Sequence, residues 1–195
     1  MAIILASTST IRRQLLINAG IEHQTRRPNL DEEDLKRLIL EFTPHHLAQY
    51  LATAKCVSIS DQEPEHVVIG ADQVLSLGTK ILNKPRSVEE ARFHLMELSG
   101  STHTLTSAIC CARAGTVMWS YRDEAKLTMR PLSKKFVETY LELSGDEVIS
   151  SVGAYKLEGL GIQLFEEING DYFTILGLPL IPLLSFLRSA GEIAV

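Results

Sequence analysis

The sequence predicts an α/β fold in which strands alternate with helices. Three observations carry that prediction. Short apolar runs of strand character, such as Val67-Val68-Ile69-Gly70, alternate with helix-period stripes such as Leu47, Leu51, Ala54 and Val57. Capping residues stand where helices should begin, at Ser9 or Thr10, at Thr43-Pro44 and at Ser87. Two long strand-like runs, Thr102 to Arg113 and Thr116 to Met129, are separated only by Ala114-Gly115, which is hairpin spacing. With 195 residues, 45% of them hydrophobic, the chain suits one domain or two tightly joined lobes.

Taken in order, Ala2 to Leu5 reads as a first short strand, followed by the hydroxyl-rich Ala6-Ser7-Thr8-Ser9-Thr10. A helix then places Ile11, Leu15 and Ala19 on one face and stops at Gly20. Arg12 and Arg13 sit in its first turn, where cations oppose the helix dipole. A strand, a hydroxyl loop, a helix N-terminus and two guanidinium groups outline an anion site. Leu30-Asp31-Glu32-Glu33-Asp34 is an acidic cluster opening a short helix, a placement that needs no function. Thr43-Pro44 starts the next helix as N-cap and first residue. Lys55 lies beside its apolar stripe, placed to reach a pocket edge or to snorkel to water. His45 and His46 are adjacent, so they point apart on a helix and make no metal pair.

The segment His66 to Pro85 is the one around which the chain is organised. Val67 to Gly70 reads as the end of a buried strand that delivers Asp72 at its carboxyl end, where α/β sheets bind ligands. A second run, Val74 to Leu77, leads through a Gly-Thr-Lys turn into Lys80 to Leu82, and this hairpin brings Lys84 back nearby. Ser87 and Glu90 then form a capping box for a helix that buries Ala91, Leu95 and Leu98 and ends at Ser99-Gly100. After the long strand pair, Lys134 to Leu143 forms a helix ended near Gly145. The stretch Gly153 to Gly161 is glycine-rich, as for close approach to a ligand, and matches neither a dinucleotide nor a phosphate-loop motif. Ile162 to Ile168 and Tyr172 to Leu176, joined by Asn169-Gly170-Asp171, read as a hairpin, and Gly177-Leu178-Pro179 introduces a last helix, Leu180 to Arg188.

Composition narrows the partners. A net charge of −5 gives no general attraction for nucleic acid or anionic membrane. No apolar run reaches the roughly 20 residues of a membrane span, and no basic region precedes the short apolar MAIILASTS, so neither a span nor a signal peptide is expected. The three cysteines, Cys56, Cys110 and Cys111, form neither a disulfide framework nor a zinc pattern. They fit the reducing cytoplasm, and no acid or histidine is spaced to make any of them a nucleophile. The oligomeric state stays open, with a homodimer among the options.

Three separated stretches stand out together. The first is Ala6-Ser7-Thr8-Ser9 with Arg12, Arg13, Leu15 and Leu16. The second is Gly70-Ala71-Asp72, Lys84-Pro85, Glu90-Ala91 and Leu98-Ser99-Gly100. The third is Gly153-Ala154-Tyr155, Glu158-Gly159 and Gly177-Leu178-Pro179-Leu180. In order and spacing, from end to end, they resemble the Maf family of nucleoside triphosphate pyrophosphatases. The resemblance implies a single Maf-like domain over residues 1–195, an elongated, ITPase-like α/β fold with a central mixed sheet flanked by helices, and two lobes with a cleft between them. It also implies hydrolysis of a nucleoside triphosphate to the monophosphate and pyrophosphate, with a divalent cation, Mg²⁺ or Mn²⁺, as cofactor.

Carried over residue by residue, the site comprises Ser9, Arg12, Arg13, Glu32, Lys55, Asp72, Lys84 and Glu158. A triphosphate carries roughly four negative charges, which Arg12, Arg13, Lys55 and Lys84 would hold while stabilising the leaving pyrophosphate. Asp72 would activate water as general base, with a metal held by Asp72 and Glu32. Gln73 stands where Thr is frequent in the family, and Glu158 where Gln is. With Lys156, these two positions resemble the branch that prefers 7-methyl-GTP to thymidine and uridine triphosphates, which makes Gln73 a further candidate for contact with base or sugar. Thr10-Ile11 replaces a usual proline, a departure that leaves Arg12 in register. The alternative that the resemblance leaves is a nucleotide-binding regulator of septum formation without essential catalysis.

Overall fold

The computed structural model of the chain describes residues 2–31, 35 and 43–194. It is a mixed α/β structure whose described strands form one seven-stranded sheet. Strand β1 (Ile3–Ala6) is buried along its whole length. It feeds helix α1 (Thr10–Asn18), and the chain returns through β2 (His23–Arg26), which pairs in parallel with β1. Helix α2 (Pro44–Ser60) then leads into β3 (Val67–Leu77), which pairs in parallel with the other side of β1. Strand β4 (Lys80–Leu82) folds back antiparallel onto β3, with Leu75 opposite Leu82. Helix α3 (Val88–Leu98) precedes the long strands β5 (Thr102–Arg113) and β6 (Thr116–Met129). Helix α4 (Lys134–Ser144) and three short 3-10 turns lead to β7 (Phe165–Asn169), which pairs antiparallel with β6. The short α5 (Tyr172–Ile175) and α6 (Leu180–Ser189) end the chain. The strand order is β2-β1-β3-β5-β6-β7, with β4 beside β3 off this path. The mixed sheet that the resemblance implied is therefore present.

The described chain divides into two compact units. The first holds the residues up to Gln73, Thr106–Asp123 and those from Asp171 on; the second holds Val74–Leu105 and Glu124–Gly170. In the first, α2 lies on the sheet and closes a dry cluster of Ile4, Ala6, Cys56, Ile59, Val68, Cys110 and Ala112. In the second, α3 packs against α4, burying Leu95, Leu98, Val137 and Tyr140. Arg92 on α3 donates from Nε and Nη2 to the Glu138 carboxylate at 2.6 and 2.9 Å.

Several boundaries differ from expectation. Val67–Gly70 and Val74–Leu77 are not two runs but one continuous strand, because backbone pairing carries the ladder through Asp72 and Gln73 despite their polarity. The hairpin expected over 162–176 does not form: β7 takes β6 as its partner, and Asp171 caps a helix by accepting from the Thr174 amide at 3.0 Å. Strand β2 had no sequence signature, since His23-Gln24-Thr25-Arg26 is polar and mostly exposed and owes its form to the edge that β1 offers. On α1 the buried residues are Leu15 and Leu16, with Ile11 and Ala19 only half-buried. On α2 the buried face includes Ala48, Ala52, Cys56 and Ile59, while Ala54 and Val57 are half-buried. The acidic helix start at Glu32-Glu33-Asp34 lies outside the described residues.

Candidate active site

The first unit gathers five of the residues singled out from sequence: Ser9, Arg12, Lys55, Asp72 and Gln73. Its floor is the contact of α2 with β3, which Gly70 makes possible. A Cβ at Gly70 would lie 2.3 Å from the Ala52 carbonyl oxygen and 2.7 Å from the Cys56 Cβ, so no larger residue fits between helix and strand. That close approach brings Lys55 over Asp72. Lys55 Nζ donates to Asp72 Oδ1 at 2.6 Å, with the two side chains only 12% and 9% exposed. Strand β1 ends at Ala6 opposite Gly70, and Asp72 stands two residues farther along β3. The carboxylate is thus inside a strand, not at its end. It still lies at the carboxyl edge of the parallel β1–β3 pair, where the expected site falls.

The N-terminus of α1 opens at the same edge. Ser9 caps it, its hydroxyl accepting from the Arg12 amide at 3.4 Å, and Ser7 in turn accepts from the Ser9 amide at 3.2 Å. Capping consumes part of the amide set that an anion would use. Arg12 folds back from this turn. Its Nε donates to the Gly177 carbonyl and its Nη1 to the Ala71 carbonyl, each at 2.7 Å. The guanidinium is therefore anchored in the fold, one residue from Asp72, a role that sequence reasoning missed. Arg13 is exposed on the outer side of the helix.

Gln73 points to the face of β3 opposite Asp72. Its amide nitrogen donates to Ser107 Oγ at 3.0 Å and to the carbonyls of Thr174 and Ile175 at 3.1 and 2.9 Å. Two amide hydrogens thus serve three acceptors. Ser107 Oγ also donates to the Thr174 carbonyl at 2.7 Å, and Thr174 Oγ1 donates to Asp123 Oδ2 at 2.8 Å. Gln73 enters the structure as a strut under the 174–177 turn. Thr174, Ser107 and Asp123 are the functional candidates that the sequence reading passed over. A signal was present: Gly177 followed by Pro179 is a helix stop, which requires a helix before it.

Lys84 and Glu158 belong to the second unit. Lys84 is exposed two residues after β4, and Glu158 is exposed between two 3-10 turns. Lys156 pairs with Glu147 at 3.2 Å. Glu32 lies outside the described residues. Among the described residues no group of three or more His, Cys, Asp or Glu side chains converges as a metal cage. Asp72 nevertheless suits a magnesium-type ion, which takes one or two carboxylates and completes its shell with water and substrate phosphates. The Lys55 ammonium already claims Oδ1 of that carboxylate, so a cation would share Asp72 with it. The three cysteines are buried free thiols. Hydrogen bonding with Cys110, then burial, push the Cys56 thiol far up, and burial does the same to Cys111. Neither is a thiolate nucleophile. No helix among the described residues is long and apolar enough to cross a membrane.

The chain matches the family model described as Maf-like protein over residues 2–190. It is 50% identical over 188 residues to a protein of Brucella abortus biovar 1 (strain 9-941) named 7-methyl-GTP pyrophosphatase, covering 95% of this chain and 94% of that one. A protein of the same name from Rhizobium etli is 47% identical over 193 residues, covering 98% and 97%. A nucleoside triphosphate pyrophosphatase of Hyphomonas neptunium is 47% identical over 190 residues, covering 96% of each chain.

Proposed function

We propose a function from one premise: the chain belongs to the Maf family. It is a nucleoside triphosphate pyrophosphatase, a hydrolase acting on a phosphoanhydride bond to release a nucleoside monophosphate and pyrophosphate. The observation that carries this reading in the chain itself is the buried Lys55–Asp72 pair at the carboxyl edge of β1 and β3.

In our reading Asp72 takes a proton from the attacking water, and Lys55 holds the carboxylate in one orientation while it does so. A base fixed in position wastes no reorganisation at the moment of reaction. The anchored Arg12 keeps its charge beside Ala71, where phosphate charge would gather, and the α1 N-terminus adds its dipole. Arg13 and Lys84 would supply further cations for the pyrophosphate as it leaves. Ser9 would serve mainly by shaping the loop that α1 follows. A divalent cation, Mg²⁺ or Mn²⁺, would be held by Asp72 with Glu32, and when bound it would neutralise charge on the phosphates.

The base preference follows from Glu158. An ionised carboxylate only accepts hydrogen bonds, and the guanine edge offers two parallel donors, N1–H and the exocyclic amine. Methylation at N7 makes N1–H more acidic and strengthens that contact. Uracil and thymine offer one donor between two acceptors, which leaves a carboxylate poorly matched. The names of the Brucella and Rhizobium relatives support a 7-methyl-GTP preference. The test is kcat/KM for 7-methyl-GTP, GTP, UTP and dTTP in wild type and Glu158→Gln. The expected ranking puts 7-methyl-GTP first in wild type and shifts towards UTP in the variant; a wild type that favours UTP or dTTP would overturn the preference.

A further inference from the structure

We propose that Thr174, held by Asp123, is a positioning residue for the phosphate site and acts through the Gly177 carbonyl on Arg12. Its effect on rate rests on the pyrophosphatase reading; its effect on Arg12 does not.

Helix α5 is only four residues long, Tyr172–Ile175. Four residues cannot sustain a helix alone, because nucleation is costly and propagation has hardly begun. Bonds from elsewhere must therefore hold the turn; Gln73 donates to the Ile175 carbonyl, and the others meet at Thr174, which is fully buried. Its amide goes to Asp171 Oδ1, its hydroxyl to Asp123 Oδ2, and its carbonyl accepts from Ser107 and Gln73. Strands β3, β5 and β6 each contribute one of these partners. Two of these bonds end on carboxylates and are charge-assisted, the amide on Asp171 and the hydroxyl on Asp123, and only the second ties the turn to another strand.

The end of α5 passes this fixed position on. Gly177 has φ of 86°, and its amide donates to the Thr174 carbonyl at 3.0 Å, while the Leu178 amide donates to the Phe173 carbonyl at 3.0 Å. That pair of bonds is the Schellman closure, which determines where the Gly177 carbonyl points. Arg12 Nε donates to that carbonyl at 2.7 Å. With Nη1 on the Ala71 carbonyl as well, the planar guanidinium has two fixed acceptors and one orientation. Removing the Thr174 hydroxyl leaves the Asp123 carboxylate without that donor and lets the turn rotate. Arg12 then keeps the Ala71 anchor and loses its alignment with the second.

The experiment compares Thr174→Val, which keeps the shape without the hydroxyl, with Thr174→Ser, which keeps the hydroxyl. Two quantities are read: the Arg12 Nε–H resonance by ¹⁵N NMR, assigned by its loss in Arg12→Lys, and kcat/KM with 7-methyl-GTP and GTP. Thr174→Val is expected to shift the resonance and lower kcat/KM about tenfold, since misplacing a positioning group by about 1 Å costs up to roughly 10²-fold. Thr174→Ser is expected to restore both. In an Arg12→Lys background, Thr174→Val should cost no further activity. Asp123→Ala, which removes the acceptor at a half-buried position, should reproduce the effects of Thr174→Val and serves in its place if that variant does not fold. An unchanged Arg12 resonance in both variants, or losses that add in the double variant, overturns the inference. If wild type hydrolyses no nucleotide, the pyrophosphatase reading falls, and the resonance alone decides the positioning claim.

Discussion

Two ion pairs in this molecule have nearly the same length and opposite settings. Lys55–Asp72 in the first unit spans 2.6 Å with both side chains nearly buried. Arg92–Glu138 in the second also spans 2.6 Å, is doubly hydrogen-bonded, and is 38% and 48% exposed. By geometry alone Arg92–Glu138 is the better bridge. By consequence it is the weaker, because water and salt screen an exposed pair and either partner can be lost to solvent at little cost. Removal of one buried partner strands the other charge away from water. A change to either member of the Lys55–Asp72 pair should therefore be felt far more than the same change at Arg92–Glu138.

The sharpest way to test that contrast is Asp72→Asn. The amide keeps an oxygen for Lys55 but no longer takes a proton from water. Turnover should fall ~10²–10⁴-fold while nucleotide still binds. Single-turnover rates beside equilibrium binding would show this, and a variant with half of wild-type activity would exclude Asp72 as base. Next in size is Lys55→Ala, which leaves the Asp72 carboxylate buried without this ammonium. Denaturant unfolding should record a loss of ~3–5 kcal/mol, the range for breaking one side of a buried pair. A loss near zero would mean that water reaches Asp72 freely, and the contrast between the two pairs would vanish.

A third test uses a buried group that has no ion partner among the described residues. His103 on β5 shares a hydrogen bond with the Tyr155 hydroxyl at 2.7 Å, and its Nδ1 has no hydrogen-bond partner among the described residues. Phe165 packs against both rings. Burial lowers the His103 pKa to about 4, against 6.5 for an open imidazole. The folded state therefore binds its proton later than the unfolded state does. Stability is unaffected above pH 6.5 and declines as pH falls from 6.5 towards 4, by up to about 3 kcal/mol. His103→Phe should flatten that part of the stability profile; an unaltered acid limb would move the cause to other groups, His94 first, whose pKa burial also lowers. The smallest effect is expected from Arg92→Ala, with melting temperature close to wild type and insensitive to added salt. A clear drop would show that the α3–α4 contact depends on this bridge more than its exposure implies.

The contrast between the pairs also marks where the sequence could be read and where it could not. The long strands β5 and β6, the Ser87 cap of α3 and the Thr43-Pro44 start of α2 were legible, because each rests on local chemistry within a few residues. So was the grouping of Ser9, Arg12, Lys55 and Asp72, by resemblance to the Maf family rather than by spacing alone. The β7–α5 segment was misread, because Ile162 to Ile168 alternates like a hairpin arm while its actual partner is β6, which lies far back along the chain. Strand β2 was invisible for a similar reason: nothing in four polar residues announces a strand until β1 presents an edge to them.

The sequence by itself determined most of the elements that could form, since propensity, capping and turn chemistry act over short stretches of chain. The tertiary structure decided what each charged group does. It buried Asp72 against Lys55 because Gly70 lets α2 approach β3, and it bound Arg12 to the carbonyls of Ala71 and Gly177. It also tied the Gln73 amide to the carbonyls of Thr174 and Ile175. The physical reason is that the partners lie far apart in sequence: burial and hydrogen-bond satisfaction are properties of a place, and only the fold creates the place.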